Sequence, residues 1–279
     1  MLLREQKLSP GLTAAELRDR ARKARAALAS CELCARRCGA DRARGECGYC
    51  GMGADAFWFR EMLHFGLELE LIPAHTIYLA GCNMRCLFCN VGDWNAAPTE
   101  AERWDVAGIS ERVRQRRREG ARTLFFVGGE PTVSLPAILE LLAELPGGCP
   151  VVWDSNMYMS EAARELLRGV VDVYVADLKF GGNRCAEHLA DAPRYWETVT
   201  ENLLFAEQTA SLIVRHLLLP GHLDCCFRPA LEWVAQNLRK PRLALRGEYM
   251  PPARAVAEAE LNSYVRDEQY EQALSLIHI

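Results

Sequence analysis

Six short apolar runs, set between stretches of helical character, narrow the folds open to this chain. They span residues 76–80, 123–127, 150–153, 170–176, 211–219 and 242–245. Each is rich in Val, Ile, Leu or Phe, as expected of a strand buried on both faces. Helical signals separate them. Leu135, Ile138, Leu139 and Leu142 recur at i, i+3, i+4 and i+7. Ser160 can cap a helix that ends at Gly169, and Pro229 stands where N1 of a helix over 231–238 would fall. Strand–helix alternation of this kind gives a parallel sheet with right-handed crossovers. Six units predict an α/β fold: a partial (β/α)6 TIM-like barrel rather than a closed eight-fold one. Ahead of it, Thr13-Ala-Ala-Glu16 is a capping box that opens a helix running to Leu28. Residues 53–72 read as a linker or a short hairpin. The charged run at 112–118 reads as a solvated helix face.

In parallel barrels the site lies at the C-terminal ends of the strands. After the six runs come, in order, Gly81-Cys82; Gly128-Gly-Glu-Pro-Thr132; Asp154-Ser-Asn156; Asp177-Leu-Lys179; Arg215-His216 with Pro220-Gly-His222; and Glu248-Tyr-Met-Pro251. One polar strand end is unremarkable, and Asp154 or Asp177 could simply cap the next helix. Six ends that converge on a cysteine loop predict a site. Gly128 and Gly129 lack a Cβ, so their backbone can approach a ligand closely.

The cysteine loop is Gly81-Cys-Asn-Met-Arg-Cys-Leu-Phe-Cys89, with spacing C-x3-C-x2-C at Cys82, Cys86 and Cys89. Three thiolates on one short loop can hold three irons of a [4Fe-4S] cluster. No fourth cysteine follows at a matching distance, which leaves one iron open to a small molecule. Half of a zinc site, or an incidental grouping in a Cys-rich chain, are the other readings.

Composition agrees with a metalloprotein. Hydrophobic residues make up 50% and charged residues 25% of the 279, so a sizeable core can form. A net charge of −4 gives no electrostatic reason for nucleic-acid binding. No apolar run reaches the ~20 residues that span a bilayer, and Met1–Lys7 is too polar for a secretory signal. Twelve cysteines then point to metal or catalysis rather than disulfides, and to the cytoplasm. Residues 274–279 end inside an apolar pattern, and neither they nor His278 carry functional weight.

Five of the twelve cysteines form a second group, Cys31, Cys34, Cys38, Cys47 and Cys50, with spacing C-x2-C-x3-C-x8-C-x2-C. Two nearby C-x2-C pairs make a tetrahedral framework for zinc, or for a second iron–sulfur cluster that relays electrons. Five candidates for four places leave one spare, Cys38 or Cys47. Cys149, Cys185, Cys225 and Cys226 look scattered and are read as small buried hydrophobes.

The cysteine loop together with Gly128-Gly-Glu130 resembles the radical S-adenosylmethionine (SAM) superfamily. Within it, the chain is similar to the subfamily of pyruvate formate-lyase-activating enzyme homologues over about residues 31–251. That likeness rests on Cys31–Cys38, Gly45–Cys50, Gly81–Cys89, Phe126–Thr132, Asp177–Lys179 and Arg215–Gly221. The resemblance implies that Cys82, Cys86 and Cys89 hold the cluster and that SAM chelates its fourth iron. An electron then splits the sulfonium to give a 5′-deoxyadenosyl radical. It places Phe88 near the adenine and Gly128, Gly129 and Glu130 at the methionine moiety. Asp154, Asn156, Asp177 and Lys179 become candidates for ribose and carboxylate. His216 is an active-site candidate, with a satisfied core histidine as the other reading. Cys47 falls outside the second metal set, leaving Cys31, Cys34, Cys38 and Cys50.

The resemblance also implies a division into 1–72, a helix with a Cys-rich module and linker, and 73–279, the radical SAM core. An electron donor of flavodoxin or ferredoxin type is implied as a partner, with no nucleic acid and no membrane. The substrate would be a glycine Cα of a partner protein, as in a glycyl-radical activase; alternatives are a peptide or small molecule, or a non-catalytic metal scaffold. Three departures bear on substrate identity. Residues 90–122 lack the cysteine insert of the larger activases, Glu248-Tyr249 replaces a usual Gln-Tyr, and Cys34-Ala-Arg36 replaces Cys-Pro-Arg.

Overall fold

The computed structural model describes residues 11–66, 68–145, 149–240 and 242–277. The N-terminal segment read against a signal and His278 lie outside the described residues. One open eight-stranded sheet organises the rest, in the order β3-β1-β2-β4-β5-β6-β7-β8. Its strands are β1 (Phe57–His64), β2 (Ala74–Leu79), β3 (Glu102–Arg103), β4 (Thr123–Gly128), β5 (Val151–Ser155), β6 (Val173–Asp177), β7 (Ser211–Leu217) and β8 (Arg242–Arg246). From β2 to β8 all pairings are parallel, so the six expected strands form the expected partial barrel. β1 and β3 add an antiparallel edge. The sequence did not resolve β1 as a strand because Arg60 and Glu61 interrupt its pattern. Glu61 is nonetheless nearly buried, where Arg116 and His75 pair with it.

The pleat sorts the barrel strands into two faces. Phe125, Val152, Val173, Val175 and Ile213 pack inside the curve with Leu71 and Ala74. Their alternates, among them Ile77, Leu124, Phe126, Trp153, Tyr174 and Val214, belong to the larger core shared with the helices. Helix Leu135–Ala143 buries nearly every residue against that outer face. Ser160 caps Glu161–Leu167 by accepting from Ala163 N, and the Thr13–Glu16 capping box is formed.

Helix Val106–Arg118 presents Arg112, Arg114, Arg117 and Arg118 to solvent, as expected, and only Arg116 of the run is half-buried, over β1. Arg116 donates to both oxygens of Glu61 at 2.7 and 3.0 Å, and Arg112 stands 5.2 Å from the Trp58 ring.

The N-terminal module is clamped to the barrel. Arg42 is 2% exposed and donates Nε to Gly53 O and NH2 to Val133 O, both at 2.9 Å. Leu33 and Ala35 pair with the 158–160 segment through Ser160 N to Leu33 O and Ala35 N to Tyr158 O. Arg42→Leu strands two buried carbonyls. It should cost about 1–3 kcal/mol, read as a lower unfolding midpoint in urea; an unchanged midpoint would mean that the module is held by other contacts.

Candidate active site

The site begins where β2 and β4 end side by side. Gly128 sits at φ +110°, and a Cβ there would lie 2.5 Å from Leu79 N and O. A Cβ on Gly129 would overlap Gly81 O and meet Asn95 Oδ1 at 2.6 Å. The sequence assigned these glycines to ligand approach. In the fold their missing side chains first admit the neighbouring strand end, which carries the cysteine loop. Backbone bonds seal the contact: Gly129 N donates to Leu79 O at 2.6 Å and Glu130 N to Gly81 O at 2.9 Å.

The loop itself is propped from below. Arg85 N and Leu87 N donate to Ala190 O and Leu189 O, both at 2.9 Å. Those carbonyls end helix Asn183–Ala190, where unsatisfied carbonyls are available. Cys82 is buried, while Cys86 and Cys89 are partly exposed. Two amides donate to the sulfurs: Asn156 Nδ2 to Cys82 Sγ at 3.7 Å and Asn95 Nδ2 to Cys89 Sγ at 3.4 Å. Burial pushes the Cys82 thiol well up and carries Cys86 up to about 12, against the pull of the nearby Lys179 cation. Phe88 is buried edge-on to Phe180, which in turn meets Tyr195.

Glu130 is 1% exposed, and its carboxylate is fully occupied. It accepts from Thr132 N (3.1 Å), Thr132 Oγ1 (2.6 Å), Ser155 Oγ (2.9 Å) and Asn156 N (2.9 Å). Burial pushes its carboxyl above the ordinary range, and these bonds offset that only in part. The side chain therefore ties the β4 loop to the β5 loop, and Asn156, so placed, reaches Cys82 and Asn83.

Inside the barrel rim lie three acids and three bases. Arg215 donates to Asp154 Oδ2 at 2.7 Å and to Glu68 Oε1 at 3.0 Å, and Arg246 also meets Glu68 at 3.0 Å. Lys179 Nζ stands 2.5 Å from Asp177 Oδ2. Burial pushes Asp154 up, with Arg215 opposing. For Asp177 burial also pushes up, but Lys179 and Arg215 outweigh it and the net shift is down.

His216 is not brought to this rim. Adjacent strand residues point to opposite faces, so Arg215 faces the barrel interior and His216 the helical layer. There its Nδ1 lies 2.6 Å from Leu178 O and its ring packs on Phe227. This placement favours the core-histidine reading, and Arg215, named with it at the same strand end, is the residue that faces the rim. Asn95 and Asn83 were also missed. Asn83 stands inside the cysteine motif and Asn95 beyond it, but only the fold shows that they hold the loop.

In the N-terminal module, Cys31, Cys34 and Cys50 are buried and Cys38 and Cys47 exposed. Burial raises Cys34 to about 12, with the charges of Cys50, Cys31 and Cys38 adding to the effect. Cys38 and Cys50 flank Gly48, where a Cβ would meet their sulfurs at 3.3 and 3.5 Å. The module touches the cysteine loop directly. Arg36 and Arg85 flank the Tyr49 ring at 3.7 and 4.3 Å, and Arg36 Nε donates to Asn83 O at 3.0 Å. Cys50 O and Met52 cover Gly81.

The residues fit an iron–sulfur cluster with a small ligand. Three thiols share one loop, two amide donors face their sulfurs, and a lysine stands beside the partly exposed Cys86. Asn95 Oδ1, next to Gly129, is a buried acceptor with no protein partner.

Comparison with known proteins gives the same picture. The pattern of the radical SAM superfamily matches residues 76–234. An uncharacterized protein of Methanocaldococcus jannaschii is 34% identical across 88% of this chain and 74% of its own length. GTP 3′,8-cyclase of Chlorobaculum tepidum is 33% identical over 70 residues, which is 24% of this chain and 20% of the cyclase. Crystal structures of Streptococcus suis SuiB, one bound to precursor peptide SuiA and one to S-adenosylmethionine, superpose with a TM-score of 0.49 at 13% identity. They cover 71% of this chain, which spans under half of SuiB, 44% and 45%.

Two outcomes follow. Gly129→Ala should displace the cysteine loop, so anaerobic reconstitution yields less bound iron and sulfide than wild type. Gly53→Ala, whose Cβ meets nothing within 4 Å, should reconstitute normally. Equal iron in both variants would break the link between the glycine contact and the loop. The second outcome concerns His216, which burial drives from the ordinary 6.5 down to about 4. The unfolded chain takes up this proton first, so the stabilisation from neutral His216 is complete above pH 6.5. It is lost as pH falls from 6.5 towards 4. Urea titrations across that window should show a shallower loss of stability for His216→Asn than for wild type, and equal slopes would contradict the assignment.

Proposed function

Since the chain belongs to the radical SAM superfamily, whose cofactors are a [4Fe-4S] cluster and SAM, we propose that Cys82, Cys86 and Cys89 hold that cluster and that the chain cleaves SAM reductively. The observation that carries the reading is the cysteine loop pressed against Gly128 and Gly129, with Lys179 beside Cys86. A reduced [4Fe-4S] cluster held by these residues would supply the one electron that cleaves the C5′–S bond of SAM, giving methionine and a 5′-deoxyadenosyl radical.

The chain's own residues position and shield. Asn156 and Asn95 direct N–H groups at Cys82 and Cys89, which favours their thiolates. The unpartnered Asn95 Oδ1 and the backbone beside Gly129 offer acceptors for the SAM ammonium. Lys179, buried next to Asp177, is the cation suited to its carboxylate. Asp154, Asn156 and Asp177 are the polar groups suited to the ribose, and Phe88 adds apolar wall. Glu130 acts through Asn156 and Ser155, so it is a positioning residue.

Two readings of the hydrogen donor remain within this proposal. Motif continuity over residues 31–251 supports a glycine Cα of a partner protein, with residues 1–72 as a metal module and 73–279 as the core. The local match to GTP 3′,8-cyclase supports a small molecule instead. An electron donor of flavodoxin or ferredoxin type would serve both. The N-terminal cysteines Cys31, Cys34, Cys38 and Cys50 suit zinc or a relay cluster near Asn83, through Arg36.

The test is product formation. Wild type reconstituted anaerobically and reduced with dithionite should convert SAM to 5′-deoxyadenosine, and Cys86→Ala should form none. Product from both proteins, or none from a wild type that holds a full cluster and bound SAM, would contradict the proposal.

A further inference from the structure

Three cysteines that look scattered in sequence meet in the fold. Cys185 lies in helix Asn183–Ala190, which follows β6. Cys225 and Cys226 lie in the turn Leu223–Phe227, which follows β7. With His222 they form a group whose ligand atoms all lie within 4.8 Å of one another. Cys225 and Cys226 Sγ are 3.8 Å apart, and His222 Nδ1 is 3.2 Å from Cys225 Sγ and 3.7 Å from Cys226 Sγ. A tetrahedral ion with Zn–S bonds of about 2.3 Å needs edges of about 3.8 Å. The geometry points to a structural zinc site formed by Cys185, Cys225 and Cys226 Sγ and His222 Nδ1.

Local backbone explains how consecutive cysteines can share one ion. Gly221 turns the chain at φ +75°, and the next residues form a π turn in which Phe227 N bonds to His222 O at 3.3 Å. That wider turn is frequent at functional sites. Gly181 lets the start of the cysteine-bearing helix approach: a Cβ there would come within 2.7 Å of Cys225 O and Cys226 O. On the far side, His222 Nε2 lies 3.8 Å from the exposed Glu260 carboxylate, an ion-pair distance too long for a hydrogen bond.

Ligand chemistry selects the ion. Three thiolates and one imidazole form a closed, soft, four-coordinate set, which suits zinc and leaves no position for substrate. Binding Zn²⁺ releases the three thiol protons to solvent, with no change of oxidation state. A disulfide is a poorer account, since its sulfurs would stand about 2.05 Å apart.

The position gives the ion a use. Helix Asn183–Ala190 carries Cys185 in its first turn, and its last carbonyls, Leu189 O and Ala190 O, hold Leu87 and Arg85 of the cysteine loop. An ion that pins the first turn to the β7 loop therefore steadies the prop beneath Cys86. The site stands independently of SAM cleavage.

The full chain, purified anaerobically, is tested by elemental analysis. Cys185→Ser and Cys225→Ser should each bind one zinc fewer than wild type, and Cys149→Ser should bind as much as wild type. Because a serine variant can lose zinc by misfolding, a second pair decides. His222→Cys keeps a zinc ligand and should release zinc to a chelator as slowly as wild type, and His222→Ala should release it faster. Zinc content unchanged in folded Cys185→Ser would overturn the site. So would equal release from both His222 variants, iron in place of the missing zinc, or a disulfide among the three cysteines in the intact mass.

Discussion

The close backbone approach between the ends of β2 and β4 is the constraint on which the rest of the site depends. Parallel strands normally leave room for side chains where they part. Here Gly128 and Gly129 give up theirs, so Leu79 and Gly81 sit against them and two short backbone bonds close the gap. The cysteine loop leaves from that junction and inherits its direction. Glu130 follows immediately and uses all its acceptor capacity to tie in Ser155, Asn156 and Thr132. Two neighbouring strand ends thereby become one rigid floor under Cys82.

Around that floor, charge is arranged so that burial is tolerated. Asp154, Asp177 and Glu68 face Arg215, Lys179 and Arg246 within the barrel rim. Removing one partner from such a set leaves an uncompensated buried charge, which is far costlier than losing the pair. The same ion pairs link residues 68–70 to β7 and β8, Glu68 through Arg215 and Arg246 and Glu70 through Arg242. The rim is thus electrostatically cross-linked while keeping Lys179 beside Cys86. The N-terminal module completes the enclosure through Met52 over Gly81 and the Arg36–Tyr49–Arg85 stack.

Much of the barrel was legible in the sequence, for a physical reason. Strands buried on both faces must be apolar throughout, and the six parallel strands are. β1 hid because Arg60 and Glu61 interrupt its apolar pattern, and only the fold supplies the Arg116 and His75 partners of Glu61. The same period-two rule could have separated Arg215 from His216, since neighbours on a strand cannot both face the barrel interior. Gly128 and Gly129 stood out as places where the backbone can approach a ligand closely. That their neighbour is the adjacent strand end required the third dimension. Asn95 carries no sequence signal, and Asn83, though inside the cysteine motif, has none that sets it apart from its neighbours. Cys185 lies far from His222-Leu-Asp-Cys-Cys226 along the chain, and only the crossover after β6 unites them.

The central claim is that the loop at Cys82, Cys86 and Cys89 carries a cluster with one iron open to SAM. Electron paramagnetic resonance of the dithionite-reduced protein, with and without SAM, tests it most directly. The account predicts a reduced-cluster signal in wild type whose g-values shift when SAM is added, and no such SAM-sensitive signal in Cys86→Ala. A cluster signal that SAM leaves unchanged, or one that persists and shifts in Cys86→Ala, would contradict it.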